Sequence, residues 1–134
     1  MWLCTQLGFF SIVRKSPDEF HIRARCRDDL DTLSKTIALP EPVESYPGSD
    51  YPWRILCDPA DLTRLFALMS ASITYGNFKS AISHHPTQND KLDAYHHIHR
   101  RMFDWQTANE SRSLPTQYAL QDPRHHQPKP SSSE

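Results

Sequence analysis

The sequence predicts an α+β domain: a three-stranded antiparallel sheet in the order β-β-α-β-α-α-α, with its helices packed on one face. Three observations carry this. Residues 20–27 alternate strictly, Phe20, Ile22, Ala24 and Cys26 against His21, Arg23, Arg25 and Arg27, which is the period of a half-buried strand. Before them lies an apolar run from Trp2 to Val13, separated by the turn Ser16-Pro17-Asp18-Glu19. Beyond Cys57, apolar residues recur at three- and four-residue spacing, the period of a helix face.

The first strand covers residues 2–13, and glycine at Leu7-Gly8 allows a bulge or kink within it. In the following turn Pro17 presets φ, while Ser16 and Asp18 are favoured polar turn residues. A first helix is expected over residues 28–37, with Leu30, Leu33 and Ile37 on one stripe and acids in its first turn; Pro40 and Pro42 stop it. Residues 40–50 form a proline-rich acidic loop with its turn at Pro47-Gly48. The third strand is expected over residues 51–57, and Pro52, which lacks an N–H, has it begin at, or lie along, a sheet edge. A right-handed crossover would lay it beside strand one, making strand one central.

Asp58-Pro59-Ala60-Asp61 is a strong helix start, with Asp58 as N-cap and Pro59 in the first turn. The helix it opens carries Leu62, Leu65, Phe66, Met69 and Ile73 inward and ends near Tyr75-Gly76, with glycine as terminator. Asn77 caps a short helix with Phe78 and Ile82 inward. A last helix, from Asn89 or Asp90 to about residue 106, buries Leu92, Tyr95, Ile98 or His99, Met102, and Trp105 or Phe103.

With these elements in place, the chain resembles a group of small bacterial and phage-associated proteins of no known activity. The likeness rests on the opening Met1-Trp2, Gly-Phe-Phe-Ser at 8–11, and Arg23 and Arg25 before Asp29-Leu30. It continues with Asp50-Tyr51-Pro52 before Arg54, Tyr75 with Asn77-Phe78-Lys79, and Asp93-Ala94-Tyr95-His96. It covers residues 1–105. The resemblance implies a bacterial or phage-associated origin and a single domain, and it implies no activity.

Residues 1–106 are expected to form that domain. Residues 107–134, with four prolines and a terminal triple serine, read as a disordered tail, from which residues 114–120 could dock locally. The formal net charge is −1, so any electrostatic function must come from local segregation. Three widely spaced cysteines, Cys4, Cys26 and Cys57, give no disulfide framework and favour a reducing, cytoplasmic setting. No signal peptide or membrane span is readable.

Three scattered glycines, Gly8, Gly48 and Gly76, leave no room for a phosphate-binding loop, a dinucleotide fingerprint or a nucleophile elbow, and no zinc-helix or calcium-loop motif occurs. No cofactor is expected. The positive features are few. His21, Arg23, Arg25 and Arg27 project from one strand face and Arg54 can join them, a cationic surface that could grip an acidic protein or, with Phe9 or Phe10, single-stranded nucleic acid. The plain alternative is a solvated strand face paired with Asp18, Glu19 or Asp50. His96 and His99 share a helix face with Asp93, a spacing that could hold zinc or nickel, or could simply be a solvated face beside Arg100 and Arg101. Cys26 lies between arginines that favour a thiolate, but alternation turns it toward the core. Trp53, Tyr75, Phe78, Tyr95 and Trp105 fall where core packing would put them.

The reading is a non-enzymatic binding or regulatory protein acting through surface contacts with a macromolecule, protein ahead of nucleic acid. Its alternatives are a nucleic-acid-binding module using the arginine face, and a small metal-binding enzyme built on the histidines.

Overall fold

The computed structural model describes residues 1–113. The chain divides between His96 and His97 into two units. In chain order the elements are β1 (Trp2–Thr5), β2 (Gly8–Ser16), β3 (Glu19–Ala24), α1 (Arg27–Ile37), β4 (Val43–Glu44), β5 (Trp53–Cys57), α2 (Pro59–Ala71) and α3 (Phe78–Ser83). A 3-10 turn at Asn89–Lys91 leads into α4 (Leu92–Ser113), which runs through the division point. The α+β class holds. The sheet has five strands rather than three, in the order β1-β2-β3-β5-β4, with every neighbouring pair antiparallel.

Two things make the difference. The apolar run of residues 2–13 folds back on itself at Thr5–Gly8 to give β1 and β2, and the acidic loop contributes the short β4. Strand one is therefore not central. Because β1 takes the outer edge of β2, β5 pairs with β3 instead, and β3 is the middle strand.

Gly8 shows why the fold-back occurs there. Its φ is +146°, and a Cβ at this position would lie 2.6 Å from Asp29 Cγ. Asp29, 3% exposed at the start of α1, accepts from the Phe9 N–H at 3.3 Å and from Gln88 Nε2 at 2.9 Å. Lys91 Nζ lies 3.2 Å from the same carboxylate. A buried carboxylate needs such partners to offset its desolvation. Only a residue without a side chain lets the strand pass close enough to supply one of them.

Cross-strand register builds the core. Phe10, Ala24 and Trp53 stand in one row, Ile12, Ile22 and Ile55 in the next, and Phe20 with Cys57 in a third. On this face α1 sets Leu30 and Leu33, and α2 sets Leu65 and Met69, all in one buried cluster. Each fully buried side chain of this size contributes roughly 1.5–3 kcal/mol of transfer free energy. Burial, then the nearby Asp61 and Asp58, pushes the Cys57 thiol up to about 11.

The helix ends follow local chemistry. Asp58 and Asp61 form a reciprocal capping box at α2. Asn77 accepts from the Ser80 N–H at α3. Helix α1 begins at Arg27 and ends in left-handed Ala38, φ 52°. Other expectations are corrected. Helix α2 stops at Ala71, short of Gly76, so Ile73 falls beyond it and is exposed; Phe66, within the helix, is exposed as well instead of inward. Cys26 is exposed, because β3 ends at Ala24 and alternation no longer governs its direction. Along α4, Tyr95 is buried, but Ile98, Met102, Phe103 and Trp105 are exposed. Helix α4 also continues through residues 107–113, where the sequence predicts tail. Residues 114–134, including the segment 114–120, lie outside the described residues.

Candidate binding face

The second face of the sheet is the one that α1 and α2 do not pack on, and register defines it row by row. Trp2 faces Ser11, Ser11 faces Arg23, Arg23 faces Arg54, and Arg54 faces Val43. Residues directly opposite across antiparallel strands project to the same side. One line running across all five strands therefore presents an indole, a hydroxyl, two guanidiniums and a valine. At the usual strand spacing, Trp2 and Arg54 stand about 14 Å apart along it. On one side of this line is the row Cys4–Phe9, and on the other Val13–His21–Leu56.

The arginine pair is held from several sides. Arg23 Nη2 donates to Ser11 Oγ at 2.7 Å, and Ser11 is fully buried beneath it. Arg54 donates to Ser45 Oγ and makes a long 3.5 Å contact with His21 Nδ1. The other ring nitrogen of His21, Nε2, lies 2.8 Å from Glu19 Oε1. Tyr51, expected in the third strand, instead precedes β5 and is buried, with the guanidiniums of Arg23 and Arg25 lying 4.7 and 4.8 Å from its ring centre. Such cation–π contacts order the guanidinium without neutralising it.

Charge balance is the distinctive feature. Arg23 and Arg54 are directly opposed, an arrangement that like charges ordinarily avoid. Among the described residues neither has a carboxylate within ion-pair distance. The Nε of each is buried without a hydrogen-bond partner.

The expected site residues separate accordingly. His21, Arg23 and Arg54 come together, although His21 is buried rather than exposed. Arg25 is turned to the Asp50 carbonyl and Tyr51. Arg27 leaves the row altogether, since it opens α1, pairs with Asp31 and stacks on Trp53. Asp93, His96 and His99 are exposed on α4, and among the described residues no group of three or more His, Cys, Asp or Glu side chains could hold a metal ion. The sequence pattern alone does not place Trp2, Ser11 and Tyr51 on this face. Trp2 becomes a face residue only once the first strand folds back, whereas Ser11 is set opposite Arg23 by the β2–β3 hairpin; Phe9 lies on this face as expected and Phe10 goes to the core.

No family model matches the chain, and neither a curated protein nor a solved structure matches it. Among the described residues no helix is long and apolar enough to cross a membrane.

Proposed function

We propose that the protein is a non-enzymatic binding or regulatory protein, and that its second sheet face takes an acidic group of a partner protein between Arg23 and Arg54. One observation carries this: two directly opposed guanidiniums without a counter-ion among the described residues. A carboxylate placed across both would turn mutual repulsion into paired charge-assisted hydrogen bonds. Trp2, Phe9, Val13 and Leu56 surround the pair with apolar surface, and an arginine–aromatic cluster of this kind is the usual make-up of a protein-binding hot spot.

A nucleic-acid reading is favoured by Trp2, whose exposed indole could stack a base in line with the two cations. The commitment of Arg27 to Asp31 and Trp53 weighs against it, because it shortens the track of cations that a phosphate backbone needs.

Fluorescence anisotropy with a labelled glutamate-rich peptide bearing aromatic residues, beside a labelled oligothymidylate, separates the two. The protein reading expects peptide binding that Arg54→Glu abolishes. Tighter oligonucleotide binding with a steep salt slope replaces it with the nucleic-acid reading. Absence of both at low salt removes the anion site.

A further inference from the structure

The two edges of the sheet are built differently. At one edge, β4 is only Val43–Glu44, preceded by Pro40, Glu41 and Pro42, so proline, charge and shortness all discourage further pairing. At the other edge, β1 reads Trp-Leu-Cys-Thr, without a charge, a proline or a bulge. Its free side can be read from the ladder. Met1 and Ile12 exchange both backbone hydrogen bonds, each at 2.8 Å. By antiparallel alternation Leu3 and Thr5 also point their N–H and C=O groups at β2, and Trp2 and Cys4 point theirs outward. Among the described residues no other backbone group meets them. Along this edge, below the sheet, a groove of about 340 Å³ runs between β1 and the end of α2, lined by Leu3, Thr5, Phe66, Met69, Ile73 and Tyr75 among others. Phe66 and Ile73 leave its rim apolar and exposed.

We propose that β1 pairs with β1 of a second copy of this chain, antiparallel, with the two-fold axis passing between the two Leu3 residues. Of the registers that set outward groups against one another, this one pairs Trp2 and Cys4 of both copies, whereas Trp2 opposite Trp2 or Cys4 opposite Cys4 would leave half of them unpaired. With Leu3 opposite Leu3, Trp2 of each copy faces Cys4 of the other, and every outward N–H finds an outward C=O. Shifting by one residue would instead set outward groups against inward ones. On the helix side, the same register lays the second copy's Leu3 and Met1 along the groove, opposite Leu3 and Thr5. Met1 is an exposed apolar side chain with no role in the core. The partner is thus a second copy because the edge is complementary to itself in hydrogen bonding and in apolar surface together, as a closed two-fold interface requires.

Sedimentation of the full chain across the micromolar range should report twice the 15.6 kDa of one chain. Cys4→Pro removes an outward N–H while leaving the β1–β2 ladder intact, because proline is tolerated where the N–H faces away from the sheet. It should weaken the dimer about tenfold or more. Leu3→Cys sets a thiol against its own symmetry mate, within disulfide reach for a non-hydrogen-bonded pair. Treated with oxidised glutathione, it should form a dimer whose peptide map shows the residue-3 to residue-3 bridge. Wild-type Cys4 is the control, its two copies standing about 8 Å apart by strand geometry. A monomer at all concentrations overturns the proposal. So does a dimer that Cys4→Pro leaves unchanged, that Trp105→Asp abolishes, or that fails to form the residue-3 bridge.

Discussion

Replacing Gly8 with alanine tests how the first strand is divided. The new Cβ would lie 2.6 Å from Asp29 Cγ and 2.7 Å from Asp29 Oδ2, and the φ of +146° is one that side-chain-bearing residues rarely adopt. The backbone strain alone is of order 1–3 kcal/mol. Relief by moving Asp29 would cost its contacts with the Phe9 N–H, Gln88 and Lys91. Leaving a buried polar group unsatisfied costs roughly 1–3 kcal/mol more. The sum is about 2–6 kcal/mol, a large share of the roughly 5–15 kcal/mol stability of an ordinary domain. Urea denaturation followed by far-UV circular dichroism should show the midpoint falling steeply, with the slope unchanged. Asp29→Ala should also destabilise, and the double variant should lose much less than the two single losses added, because both act at one contact. A Gly8→Ala variant within about 0.5 kcal/mol of wild type, the ordinary range for a surface change, would refute the account of why β1 and β2 separate there.

Three further outcomes follow from the same geometry. Arg54→Glu should leave stability unchanged or raise it by roughly 0.2–1 kcal/mol by turning a like-charge cross-strand pair into an opposite-charge one, and thermal melts check this independently of any loss of binding. Stability should fall between about pH 9 and pH 11, because the Cys57 thiol titrates at about 11 when folded and 9.0 is its ordinary value. In that window the unfolded chain has lost a proton that the folded chain keeps, so unfolding is favoured as pH rises. Cys57→Ala should make this fall shallower, the Tyr95 hydroxyl and the Cys4 thiol, also pushed up by burial, supplying the rest. Asp58→Ala removes half of the α2 capping box and should cost about 1 kcal/mol in chemical denaturation.

What was readable in the sequence was mostly local chemistry. The Pro17 turn, the Asp58 and Asn77 caps and the inward set Ile22, Ala24, Leu30 and Leu33 depend on neighbours within a few positions, and all stand as expected. The division of the first strand depends on Asp29, distant in sequence, and a glycine between apolar residues signals a kink without saying that the chain reverses. Strand β4 is too short to have a period. The α4 stripe has the spacing of a buried face, yet spacing does not say whether a surface exists to bury it, and Trp105 is 63% exposed. Half of the binding face was legible for the same reason. Arg23 was visible by alternation, whereas its pairing with Arg54 needed the register of β3 on β5, and Trp2 needed the fold-back.

The proposed seat for an acidic group needs Arg23 and Arg54 together. Isothermal titration of the full chain with the glutamate-rich aromatic peptide tests it most directly, using wild type, Arg23→Gln, Arg54→Gln and the double variant. The account predicts that either single change loses most of the affinity and that the double change loses little more, because both guanidiniums grip one anion. Unchanged affinity in the single variants, or losses that simply add, would contradict it.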